Sequence, residues 1–196
     1  MNQTHSSVQD RLLLMAREQF ARHGYDGASV RGITSRARAN LGAITYHFGS
    51  KRHLYTAVIE SIIGPLAARV KDAARADAPA LDTVEAIVRV IFAHIKANPD
   101  MPIIVVREMV GGREVAAPVR RMMGEMLPLL AGIIAAGQRG GTIRAGDPLL
   151  LALSTIAQPV YLNLARHAIA ATTGIDATDP RVVDHAVAVV RAALEP

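Results

Sequence analysis

Apolar residues recur along this chain at three- and four-residue spacing, the period of one helix face, and no run alternates as a strand would. Over 8–23, Leu12, Met15, Ala16 and Phe20 share a face, while Arg11, Arg17, Glu18 and Arg22 lie largely off it. Ser7 suits the N-cap of that helix and Gly24 its C-terminal stop. Ser29 then caps a short helix over 30–37, the turn Arg38-Ala39-Asn40 follows, and a second short helix runs over 41–47. Ser50 caps a longer helix over 51–76 that contains Gly64-Pro65. Further helices fall over 81–97, 102–110, 114–139, 148–172 and 180–194. The last two each open on Asp-Pro, a cap followed by the early position where proline loses nothing by lacking an N–H. The expected fold class is all-α, with about nine helices.

Composition excludes several classes. There is no Cys, so disulfides and thiolate metal sites are ruled out, in keeping with an expected cytoplasmic location. The start of the chain, through Ser7, is polar and lacks the basic and then apolar pattern of a secretory signal. No run reaches the roughly eighteen uncharged apolar residues of a spanning helix, so no membrane partner is expected. The net charge is +5. Residues 1–56 hold eight basic side chains against three acidic ones, an excess equal to that of the whole chain, and the remainder is balanced. A basic first quarter joined to a neutral body suits a polyanion at one end and a different partner at the other.

The two short helices have the form of a helix-turn-helix, in which the second helix enters the major groove of double-stranded DNA. On a helical wheel Ile44 and Phe48 point one way with Leu41 beside them, and Gly42, Ala43, Thr45 and Tyr46 point away with His47 flanking. The outward set is small or hydrogen-bonding. Ala43 and the Thr45 methyl suit a thymine methyl, and Tyr46 and His47 suit phosphate oxygens. Lys51, opening the next helix, adds a cation beside an N–H-rich helix end. A second class stays open on the residues alone, that of a helical enzyme or interaction module whose N-terminal hairpin is incidental.

The run from Ala39 to Lys51, followed by Leu54-Tyr55, resembles the recognition helix and following segment of the TetR family of bacterial regulators, and Ala16, Phe20, Gly24-Tyr25, Ser29-Val30-Arg31, Ile33 and Ala37 fit upstream. The similarity is specific over about residues 8–56. It implies a TetR-type DNA-binding domain over 1–56 and a helical ligand-binding and dimerisation domain over 57–196. It also implies a homodimer on a palindromic operator, usually a repressor released by a small molecule, with activators and ligand-independent regulators as the alternatives. Carried over by position, it assigns DNA contact to Ser29, Arg31, Asn40, Leu41, Gly42, Ala43, Thr45, Tyr46, His47 and Lys51. One position departs from the family, which usually has Gly where this chain has Arg38.

The body shows no Gly-rich phosphate loop, no HExxH and no His pair at helical ligand spacing, so neither an enzyme, a metal nor a cofactor is expected. Met101, Met109, Met122, Met123 and Met126 cluster in two neighbouring helices, and Phe92, Gln158 and Tyr161 add bulk and polar handles. A pocket for a small, largely apolar effector is therefore expected around Phe92, Met109, Met122, Met126, Gln158 and Tyr161. Two stripes suit dimerisation: Ala152, Thr155, Ala157, Tyr161, Leu164, Ala165 and Ala168, and Ala186, Val187, Val190 and Ala193.

Overall fold

The computed structural model describes residues 7–74, 77–112 and 114–196. Among them the regular structure is helical: α1 (Val8–Gly27), α2 (Val30–Arg36), α3 (Ala43–Phe48), α4 (Lys51–Ala74), α5 (Ala80–Ala97), α6 (Met101–Val110), α7 (Ala117–Arg139), α8 (Pro148–Leu164), α9 (Arg166–Thr173) and α10 (Pro180–Leu194). The expected end of the fourth helix at Ala76 and the polar start before Ser7 lie outside the described residues. No single helix is long and apolar enough to cross a membrane.

Contacts group the described residues into two compact units, one reaching Ile63 and including Ile103–Val119, the other comprising Gly64–Pro102 and Arg120–Pro196. The division falls within α4 at the Gly64-Pro65 pair, and α6 clusters with the first unit.

In the first unit, Ser7 and Asp10 form a reciprocal capping box, with Asp10 N–H donating to Ser7 Oγ and Ser7 N–H to Asp10 Oδ2, both at 3.1 Å. Helical geometry stops at Gly24, whose φ of +68° suits a residue without a Cβ. Leu12, Ala16, Phe20, Ile33, Ile44 and Leu54 are buried where the first helices meet. Arg107 of α6 donates from Nη1 to the Ala21 carbonyl at 2.7 Å, so a cation meets the C-terminal end of α1.

In the second unit α5, α8 and α10 pack on one another. Val84, Ile87, Val88, Ile91 and Ile95 put a continuous apolar face of α5 into this core, and each fully buried side chain of this size stabilises by about 1.5–3 kcal/mol. Ala152, Thr155, Ala186, Val187 and Val190 are buried within the chain, so this part of the expected dimer stripes is intrachain packing. The end of α10 is held by Arg144, whose N–H meets the Leu194 carbonyl at 2.8 Å and whose Nε meets that of Ala193 at 2.6 Å. Arg191 of α10 binds Asp82 and Glu85 of α5 together with Glu195. Gly137 lies so close to Ile143 that a Cβ there would fall 2.6 Å from its Cδ1.

The expected helix over 148–172 is broken at Ala165, and α8 and α9 meet at 65°. Side chains take carbonyls that the main chain would otherwise use: Asn163 Nδ2 donates to the Pro159 carbonyl at 2.9 Å, and Arg166 Nη1 reaches those of Asn163 at 3.4 Å and Pro99 at 2.5 Å.

Candidate nucleic-acid interface

The interface is built on two short helices whose ends are fixed by local hydrogen bonds. Ser29 Oγ accepts the Gly32 N–H at 2.9 Å and caps α2. A Cβ on Gly32 would sit 2.9 Å from that same oxygen, a contact that a small rotation of the Ser29 side chain relieves. At the other end of α2, Ala39 N–H bonds the Thr34 carbonyl at 2.9 Å and Arg38 N–H bonds that of Ser35 at 3.1 Å. This pair is a Schellman motif, and Arg38 occupies its left-handed position with φ +51°. It is the sole non-glycine residue with positive φ among the described residues. Arg11 of α1 donates from Nε to the Ala37 carbonyl at 3.1 Å, adding a cation at the same helix end.

Asn40, Leu41 and Gly42 form the approach to α3 rather than its first turn, since the helix starts at Ala43, whose N–H bonds the Asn40 carbonyl at 3.1 Å. Ile44 is buried and Phe48 half-buried, as expected of the inward face. That face is wider than the sequence wheel implied. Ala43 is only 7% exposed and His47 is half-buried, so Ala43 does not offer its methyl outward. Leu41, expected beside the anchors, is 53% exposed, because it precedes the helix and is not rotated inward with it. Thr45 and Tyr46 form the outward face, Tyr46 at 85% exposure. Ser29, Arg31, Asn40 and Gly42 are also exposed.

Behind the reading helix Phe20, Tyr25 and Tyr55 form an aromatic cluster, with Phe20 and Tyr55 edge-on at 4.8 Å and Tyr25 and Tyr55 at 5.1 Å between centroids. Lys51 lies over the Tyr25 ring, 4.6 Å from its centroid, and its Nζ is 3.5 Å from the Asp26 carbonyl. Ser50 caps α4 by accepting the His53 N–H at 3.1 Å. Arg11 and Arg107 support this unit, and the sequence pattern did not single out either contact. Each depends on which loop or helix end the fold brings opposite, which periodicity does not encode.

Of the six expected pocket residues, the five in the second unit, Phe92, Met122, Met126, Gln158 and Tyr161, do not converge. Met122 and Met126 are together beside Ala67, Val70 and Lys71, around a gap of only about 10 Å³. Met109 is 48% exposed and Tyr161 is 65% exposed. Gln158 is half-buried. Phe92 lines a separate cleft of about 210 Å³ with Asn163 and Val183. The methionines fill packing positions or face outward, since an unbranched side chain serves either place equally well.

A family model described as bacterial regulatory proteins, tetR family, matches residues 12–58, and one described as tetracyclin repressor-like, C-terminal domain, matches residues 81–193. The HTH-type transcriptional repressor NicS of Pseudomonas putida is 27% identical over 177 residues, covering 88% of this chain and 83% of that protein. The HTH-type transcriptional repressor AcnR of Corynebacterium glutamicum is 46% identical over 43 residues, 22% of this chain and 23% of that one. The fold is shared with the fatty acid degradation regulator FadR from Bacillus halodurans, at a TM-score of 0.76 and 17% identity over 95% of this chain and 99% of that one. The TetR family transcriptional regulator PfmR from Thermus thermophilus gives the same score and identity, over 95% of this chain and 100% of that one.

Proposed function

We propose, from the premise that this chain belongs to the tetR family of bacterial regulatory proteins and is a DNA-binding regulator of transcription, that it acts as a dimeric repressor released from a palindromic operator by a small molecule. The observation that carries this reading is the outward face of α3. Thr45 and Tyr46 stand clear of the unit while Ala43, Ile44 and Phe48 anchor it, and the net positive charge of the chain lies in the segment around them. Repression is supported by the similarity to NicS and AcnR, both transcriptional repressors.

On this reading Thr45, Tyr46, Leu41 and Gly42 meet base edges and methyls, while Ser29, Arg31, Asn40, His47 and Lys51 position the unit on phosphates. The Ser29 oxygen already accepts from Gly32, and its hydroxyl proton remains for a phosphate. The proposed domains are residues 1–56 for DNA and 57–196 for effector and dimerisation.

The dimer face proposed is the outer side of α8 and α10. Leu150, Leu153, Ala157, Tyr161 and Leu164 follow one another at helical spacing on α8 and are all exposed, and Val189 is exposed on α10. A second copy covering this stripe would form a four-helix bundle. An effector acts by binding one dimer geometry better than the other, and the two reading helices must lie about 34–36 Å apart to meet successive major grooves. Gly64-Pro65 in α4 is the proposed pivot.

Fluorescence anisotropy on inverted-repeat DNA from upstream of the gene itself tests the reading. Specific, salt-sensitive binding with one dimer per site is expected. Binding that does not distinguish inverted repeats from random duplex would remove the operator reading, and activation of a reporter in cells would replace repression.

A further inference from the structure

We infer that the cleft between α5, α8 and the start of α10 is a binding site for a small organic acid with a compact apolar body and one hydroxyl or N–H group. This assignment is separate from the effector reading and stands or falls on binding alone.

The cleft holds about 210 Å³ and is lined by Phe92, Ala93, Lys96, Asn163, Ala177, Thr178, Pro180 and Val183. An apolar cavity of about 150 Å³ already takes a benzene ring, so this one suits a ring or short branched chain carrying substituents. Its walls are hydrocarbon from Phe92, Ala177, Pro180 and Val183, and two groups break that surface. The first is Asn163, which is 2% exposed. Its Nδ2 donates to the Pro159 carbonyl at 2.9 Å, and no described residue donates to its Oδ1. An amide oxygen in the wall of a cleft is an acceptor that a ligand donor can satisfy in place of solvent.

The second is the Lys96 ammonium. The neighbouring carboxylates are already engaged. Asp176 accepts the Thr178 N–H at 2.8 Å and its hydroxyl at 2.9 Å. Asp179 caps α10 through the Arg181 N–H at 2.8 Å and pairs with the Arg181 guanidinium at 2.7 Å. Lys96 is exposed and is the cation lining the cleft, and its charge acts on Asp176 and Asp179 across space while its N–H groups remain available to an anionic ligand. Acceptor and cation on one apolar pocket select a molecule with a donor and an anionic group, joined by a body small enough for the volume.

The test is isothermal titration of the full-length protein with 4-hydroxybenzoate, benzoate and 4-methylphenol as probes. One 4-hydroxybenzoate per chain is expected, with benzoate and 4-methylphenol each weaker because each lacks one of the two polar groups. Lys96→Gln should weaken 4-hydroxybenzoate about tenfold, as loss of a charge-assisted hydrogen bond does, and should leave 4-methylphenol unchanged. Ala93→Trp, at an exposed position on the cleft wall, should abolish binding of all three, with thermal melting confirming that the variant folds. Absence of binding by all three probes at millimolar concentration overturns the assignment. Binding that survives both substitutions overturns it too, because the acid then sits elsewhere.

Discussion

Arg38 holds a backbone conformation that costs an L-residue about 1 kcal/mol, and glycine would hold it at no such cost. Arg38→Gly is therefore expected to raise stability by about 1 kcal/mol, read as an upward shift of the thermal midpoint. If the guanidinium meets a phosphate, the same variant binds DNA more weakly and with a shallower salt dependence, and the two effects separate in one pair of measurements. Tyr46→Ala and Thr45→Ala should each cost about 1–3 kcal/mol of operator binding while leaving the melting curve in place, since both side chains are exposed. Lys51→Ala should weaken specific and random DNA alike and lower the salt slope by about 1, measured by titration over a range of ionic strength. A larger loss for the operator than for random duplex would move Lys51 to the base-reading group.

At the level of elements, caps were the most legible feature of the sequence. Ser7, Ser29, Ser50, Asp147 and Asp179 all bond N–H groups at the helix starts expected of them, because a cap depends on three or four consecutive residues. Breaks inside helices were less legible. The chain passes through Pro65 and Pro128 without ending α4 or α7, yet stops at Ala165, where there is no proline. At that stop Arg166 reaches the Pro99 carbonyl, a partner far away in sequence. The hydrogen bonds of Arg181 hold the Asp179 carboxyl below the usual carboxylate range. A lowered value means that the stabilisation is complete at neutral pH and is lost as pH falls through the lowered value. Asp179→Asn should therefore lower the melting temperature at pH 7, and the gap from the parent should narrow as the pH is lowered into the range where the Asp179 carboxyl takes up its proton.

For the molecule as a whole, charge was the property the sequence located best, since a sum over the first quarter needs no geometry. The reading helix was legible in its anchors and its outward pair but not in Ala43, because a six-residue helix offers too little period to fix the width of its buried face. Clefts were least legible. Methionine content does not separate a pocket from a core, and the cleft at Phe92 depends on Asn163 and Ala177, which no local pattern joins to it. The proposed assembly is tested by paired substitution on α8: Leu150→Glu with Tyr161→Glu should convert the proposed dimer to a monomer in sedimentation velocity and abolish operator binding together with it. A dimer that persists would place the interface elsewhere.

The chain has four tyrosines and no tryptophan, and their positions divide its surfaces without overlap. Tyr46 stands on the outward face of α3, Tyr161 on the exposed stripe of α8, and Tyr25 and Tyr55 within one aromatic cluster. Uniform 3-fluorotyrosine labelling would then give a spectrum of four lines from the unaltered sequence. On the proposed reading one line would report DNA, one would report self-association, and two would report the packing of the aromatic cluster, so a single titration would show in what order these regions respond.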